Sequence, residues 1–179
     1  IYGNNTDTNF ANALNEYVLW KKQKGADVMV ASTATSEAGN STTSIKNYIQ
    51  NKYNNVETRP DFVVFIGDTV GSYTIPYYTQ SSGATDYNYT FLAGTDQLGD
   101  CFIGRISVEN LSQFLVVLNK IYLYERDINI ANASWLNRMM LSGDNSPSGI
   151  STMYIQKYIK EMSLLTNPDY TFTEDYGSS

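Results

Sequence analysis

The chain reads as an α/β domain with a mostly parallel sheet covered by helices on both faces. Three observations predict this. Short apolar runs alternate with stretches of helical periodicity, as parallel strands joined by crossover helices require. The run Phe62-Val63-Val64-Phe65-Ile66 is continuously apolar, the pattern of a central strand buried on both faces. And 179 residues, 42% of them hydrophobic, suffice for one well-buried core, with no compositional break, repeat or low-complexity linker to divide them.

In chain order, Phe10, Ala13, Leu14, Tyr17 and Val18 fall at helical spacing, and Gly25 after a lysine-rich last turn suits a helix C-terminus. Asp27 to Ser32 then reads as a short strand. Ser41 or Thr43 can cap a second helix whose buried stripe is Ile45, Tyr48, Ile49 and Tyr53. After the strand at Phe62, residues 67–99 read as a long irregular stretch, a length that in compact domains usually serves function. Cys101 to Ile106 reads as a strand. Val108 to Arg126 is the strongest helix, with Leu111, Phe114, Leu115, Leu118, Ile121 and Tyr122 on one face. A strand from Arg138 to Leu141 ends at Ser142-Gly143-Asp144, a helix spans about Thr152 to Leu165, and a strand lies near Tyr170 to Thr173. Ile1-Tyr2-Gly3 resembles the last residues of a strand, and Tyr176 to Ser179 follow one closely, so the domain is expected to be incomplete at both ends.

Composition excludes some functions. The formal charge is -6, and the 12 lysines and arginines form no run, which argues against a phosphate-backbone partner. No segment approaches the roughly 20 apolar residues that span a bilayer. The single cysteine, Cys101, precludes an internal disulfide.

In parallel sheets ligands gather at the carboxyl ends of strands, which directs attention to the acids there, Asp68 and Asp144. From its spacing alone, Asp144 is expected to make an Asx turn or cap the next helix. Asp68 is expected to accept hydrogen bonds from loop amides, and Arg105 to pair with a carboxylate such as Asp68 or Glu125. The segment "GDTVGS" has the glycine and hydroxyl content of an anion cradle but lacks a P-loop lysine. Asp86, Asp96 and Asp100 crowd a tyrosine-rich loop, without the spacing of an EF-hand. Cys101 begins a strand on a chain with no histidine to activate it, so it reads as a small hydrophobe.

The segments "YVLWKKQKGADVMV", "STTSIKNYIQNKYN", "PDFVVFIGDT", "TDYNY" and "CFIGRISVENLSQFLVVLNKIYLYERDI" resemble, in content and order, the first part of the catalytic domain of gingipain-type cysteine peptidases, family C25. The resemblance covers nearly the whole chain. It implies a caspase-like three-layer α/β sandwich, with residues 1–179 as the N-terminal part of the catalytic domain. It implies thiol-dependent peptide hydrolysis in which Asp144 orients a catalytic histidine, with that histidine and the nucleophilic cysteine lying beyond Ser179 and this chain alone inactive. No catalytic cofactor is implied; structural calcium at Asp86, Asp96 and Asp100 is. Arginine-specific members carry a specificity acid near the position of Thr152, which makes Thr152 the candidate substrate-binding residue. With Ser151-Thr152-Met153-Tyr154 there, no carboxylate is offered to a guanidinium, which argues against arginine specificity of that type. Implied partners are a peptide or protein substrate, the remainder of the catalytic domain and a propeptide, and the implied location is secreted or on a bacterial outer surface. Two other readings are a sortase-like transpeptidase of the same family and a catalytically silent α/β binding module.

Overall fold

Helix α1 (Thr8–Gln23) forms where the apolar spacing predicts it. The Asp7 carboxylate caps it by accepting the Asn9 and Phe10 amides, and Gly25 follows in the left-handed region at φ 93°. A computed structural model describes residues 1–80, 83–128 and 130–177; Ser178 and Ser179 lie outside the described residues. The chain divides into two compact units, Ile1–Tyr124 and Glu125–Ser179.

In the first unit, β1 (Phe62–Ile66) and β4 (Phe102–Ile106) pair in parallel, with Phe62 opposite Phe102 and Ile66 opposite Ile106. Tyr2 adds a further row, bridging in parallel to Ile66 on one side and Ser32 on the other. The strand predicted over residues 27–32 is therefore reduced to that one bridge. Its hydrogen bonds are Tyr2 N–H to the Ala31 carbonyl at 3.0 Å and Thr33 N–H to the Tyr2 carbonyl at 2.9 Å, and residues 27–30 have no ladder partner among the described residues to make them regular.

The pleat divides the β1 side chains between two cores. Val63 and Phe65 pack with Ile45 and Ile49 of helix α2 (Thr42–Asn54), while Ile66 packs with Phe10 and Leu14 of α1 and with Phe114 and Leu118 of helix α3 (Leu111–Glu125). Helices thus cover both faces. The coverage is less complete than the apolar run predicts: Phe62 is 71% exposed and Phe102 70%, and their rings stack at 5.2 Å. Both lie at the amino ends of their strands. On α3, Phe114, Leu118 and Tyr122 are buried as expected, but Leu115 is exposed.

Of the two candidate caps for α2, Ser41 takes the position. Its hydroxyl accepts the Ser44 amide at 3.1 Å, and the Ser44 hydroxyl accepts the Ser41 amide at 3.0 Å, closing a reciprocal capping box. Ser41→Ala is expected to lower stability by about 1 kcal/mol, read as the midpoint of denaturant unfolding. An unchanged midpoint would show that the box contributes nothing.

The described residues of the 67–99 stretch are more regular than their sequence suggests. They contain an antiparallel pair, β2 (Tyr78–Gln80) and β3 (Gly83–Thr85), and a 3-10 turn at Tyr87–Thr90. Tyr73, Ile75, Tyr89 and Leu92 belong to the cores. Lys46 of α2 donates to the carbonyls of Asn88, Tyr89 and Phe91 at 2.9, 3.2 and 2.6 Å, so the connection is tied from below as well as packed.

The second unit contains a 3-10 segment, Ile130–Asn137, then β5 (Arg138–Ser142), helix α4 (Ile150–Thr166) and β6 (Thr171–Asp175). β5 and β6 pair in parallel from Arg138↔Thr171 to Ser142↔Asp175, a β-α-β crossover. β6 runs two residues past its predicted end because the register with β5 supplies partners up to Asp175. Lys160 of α4 pairs with Glu174 of β6.

Candidate active site

At the carboxyl end of β5 the register brings Ser142 beside Asp175, and the Gly143 amide donates to the Asp175 carbonyl at 3.0 Å. The chain then leaves the sheet, so the carboxylate of Asp144 stands at the strand end, where the sequence predicts it. Ser146 holds both of its oxygens. The Ser146 amide donates to Oδ1 at 2.8 Å and the Ser146 hydroxyl to Oδ2 at 2.7 Å. The first of these closes the Asx turn expected from the loop sequence. Helix capping, the other local expectation, is not made: the N-cap of α4 is Gly149, with no side-chain hydrogen bond. Each carboxylate oxygen keeps a lone pair for another donor. The Ser146 hydroxyl, followed by its amide, holds the Asp144 carboxyl below the ordinary carboxylate range, so it is ionised at neutral pH.

Thr152 lies in the first turn of α4. Its hydroxyl accepts the Asp144 amide at 2.8 Å and lies 2.7 Å from the Gly149 carbonyl, to which it donates, bracing the loop from both ends. Gly149 leaves the space the acid occupies: a Cβ there would lie 2.1 Å from Asp144 Oδ2 and 2.3 Å from its Cγ. Gly149→Ala is therefore expected to displace the carboxylate and to lower stability by about 1–3 kcal/mol through overpacking. A crystal structure of the variant with Asp144 unmoved would refute this. Ser142, Asp144, Thr152, Gln156, Asp175 and Gly177 line one open depression. The structure thus brings Asp144 and Thr152 together and adds Asp175, which the sequence reading missed. Its signal was present, since the rule that singled out Asp144, an acid ending a strand, applies to Asp175 once the strand is long enough. Ser146 and Gly149 carried no such signal, being ordinary loop residues.

In the first unit Asp68, Asp86, Asp96 and Asp100 each have a hydrogen-bonded partner. Asp68 accepts the Thr69 amide at 2.6 Å, the main reason its carboxyl lies below the usual range. Arg105 pairs with a carboxylate as expected, but that of Asp86, which the sequence reading did not single out for it. It makes a two-pronged pair with Asp86, both N–O distances 2.8 Å, and donates to the carbonyls of Gly67 and Ile75 at 3.0 and 3.2 Å. The local sequence offers no hint of this, because Asp86 reaches Arg105 only through the fold of the 67–99 connection. Asp100 accepts the Leu92 and Ala93 amides, and Asp96 the Leu98 amide. Among the described residues, no group of three or more histidine, cysteine, aspartate or glutamate side chains is placed to hold a metal.

The family model of peptidase family C25 matches residues 4–179. The chain belongs to peptidase family C25. Lys-gingipain W83 of Porphyromonas gingivalis is 27% identical over 176 residues, covering 94% of this chain and 10% of that protein. The crystal structure of the Arg-specific cysteine proteinase gingipain R aligns with a TM-score of 0.73 at 22% identity, covering 95% of this chain and 39% of the other. A complex of the P. gingivalis RgpB pro- and mature domains aligns at 0.72 and 22%, over 97% and 41%. These alignments give the C25 chain a caspase-like α/β fold. The chain spans about a tenth of the length of the Lys-gingipains it matches and at most 21% of the gingipains R.

A cysteine peptidase needs a thiolate, and the one thiol of this C25 chain is poorly suited to supply it. Cys101 is half-buried, and burial pushes its thiol above the ordinary range. It packs at the edge of the core formed by Phe65, Ile75 and Tyr89.

Proposed function

We propose that residues 1–179 form the first part of a gingipain-type catalytic domain that hydrolyses internal peptide bonds, with Asp144 as the residue that orients the catalytic histidine. The observation that carries this reading is the ionised, doubly held Asp144 carboxylate at the end of β5, in a chain whose C25 match runs through that position. The histidine and the nucleophilic cysteine are assigned to other parts of the protein, since this chain has no histidine and its cysteine is the half-buried Cys101, whose thiol burial pushes up.

In the proposed mechanism the imidazole donates Nδ1–H to a free lone pair of Asp144, which keeps Nε2 facing the thiol. The thiol proton passes to Nε2 and the thiolate attacks the scissile carbonyl. The imidazolium then gives that proton to the leaving amine, and water hydrolyses the thioester with the imidazole as base. Asp144 stays ionised throughout and stabilises the imidazolium. Thr152 is assigned to the wall facing the substrate. With its hydroxyl engaged by the loop, Thr152 itself offers no carboxylate to a substrate side chain, which supports a preference other than arginine specificity of the kind the acid confers. The remaining catalytic residues and a pro-domain are the proposed partners, the latter by likeness to the RgpB complex. Likeness to the P. gingivalis gingipains supports export to the bacterial surface.

The test is thiol labelling of the full-length protein with a panel of basic and neutral peptidyl chloromethyl ketones, followed by peptide mapping. The expected result is one labelled cysteine outside residues 1–179. Labelling of Cys101, or no labelling by any member of the panel, would overturn the proposal.

A further inference from the structure

Asp144 is held by one neighbour on both oxygens, and this has a consequence for how the acid works. The Ser146 hydroxyl has one proton and gives it to Asp144 Oδ2. The Ser148 hydroxyl lies 3.2 Å from Ser146 Oγ, so Ser148 must be the donor of that pair. A short chain of hydroxyls therefore points its donors toward the carboxylate. The Ser146 amide fixes the other oxygen at 2.8 Å. On the opposite side, the missing side chain of Gly149 lets the carboxyl group settle against the start of α4, where the helix dipole favours negative charge. With the Asp144 amide also bound by Thr152, neither the backbone nor the carboxyl plane of Asp144 is free to turn.

A carboxylate that only closed an Asx turn would need one oxygen bonded. Here the side-chain hydroxyl of the same serine takes the second, so rotation about the last torsion of Asp144 breaks two hydrogen bonds to a charged acceptor at once. Resting on the proposed role of Asp144, we infer that Ser146 is a positioning residue of the peptidase, holding the carboxylate plane in the orientation from which it accepts the histidine N–H, in the space Gly149 leaves open. The Ser146 hydroxyl contacts Asp144 and Ser148. Its effect passes through Asp144, so its loss should fall on turnover rather than on substrate binding.

The experiment compares Ser146→Ala, Ser146→Thr and Asp144→Asn in the complete catalytic domain. Two readouts are used: the carboxyl carbon resonance of Asp144 followed through acid titration, and kcat and KM on a peptide substrate. For Ser146→Ala the Asp144 carboxyl is expected to titrate at higher pH than in the wild type, with kcat lowered about 10- to 100-fold and KM changed by less than about twofold. Ser146→Thr, which keeps the hydroxyl, is expected to restore most of both. An Asp144 titration unmoved in Ser146→Ala would overturn the inference, as would a titration that moves while kcat is retained and Asp144→Asn is inactive. If instead Asp144→Asn keeps wild-type kcat, the assigned role of Asp144 itself fails, and the positioning role fails with it.

Discussion

Asp144→Asn, made in the complete catalytic domain, is expected to lower kcat on a peptide substrate by about 10²- to 10⁴-fold, with KM little changed. The substitution is nearly isosteric. Its amide oxygen can still accept the Ser146 N–H that Oδ1 accepts now, so the loop should keep its shape. What is lost is the second acceptor. The amide nitrogen can neither take the Ser146 hydroxyl proton that Oδ2 takes nor accept the Nδ1–H of an imidazole, and it favours the tautomer with the proton on the wrong nitrogen. It also removes the charge that stabilises the imidazolium. A variant with kcat within about threefold of wild type would sink the assignment, and an unchanged melting temperature would show that the loss is chemical and not structural.

Arg105→Ala is expected to destabilise the protein by about 3–5 kcal/mol, because it breaks a mostly buried ion pair and leaves Asp86 without its counter-charge. The side chains of Arg105 and Asp86 are 12% and 18% exposed. The guanidinium also satisfies the Gly67 and Ile75 carbonyls and lies 5.2 Å over the Phe65 ring, so three parts of the 67–99 connection are tied to β4 through one residue. For a chain of this length the loss corresponds to a fall in melting temperature of about 6–20 °C. Arg105→Lys should recover little of it, since an ammonium cannot make the two-pronged pair and reach the carbonyls at once. A fall of less than about 2 °C for Arg105→Ala would show that the pair contributes little to stability.

The two predictions differ in how far the sequence alone could have supplied them. Asp144 was legible because two local signals coincide there, an apolar run that reads as a strand and an acid just after it. Periodicity is local as well, which is why the faces of α1 and α3 and the start of α2 were foreseen. Arg105 was expected to pair with a carboxylate such as Asp68 or Glu125, and the carboxylate it takes, that of Asp86, lies 19 residues away in a segment with no period to read. The same limit applies to β2 and β3 and to the burial of Tyr73, Ile75 and Tyr89, which together turn an apparently irregular stretch into part of the core.

By itself the sequence determined the order and type of the main elements, the helical faces, the absence of a histidine and the placement of an acid at the end of β5. These rest on spacing along the chain and on composition, which the residues carry wherever they lie. Only the tertiary structure decided that residues 27–32 make a single bridge, that Phe62 and Phe102 stack in solvent, that β6 extends to Asp175 beside Asp144, and that Ser146, Gly149 and Thr152 close around the carboxylate. Each of these depends on which backbone lies within hydrogen-bonding or packing distance of another, and that is set by strand register and by the path of loops rather than by any residue's own preference.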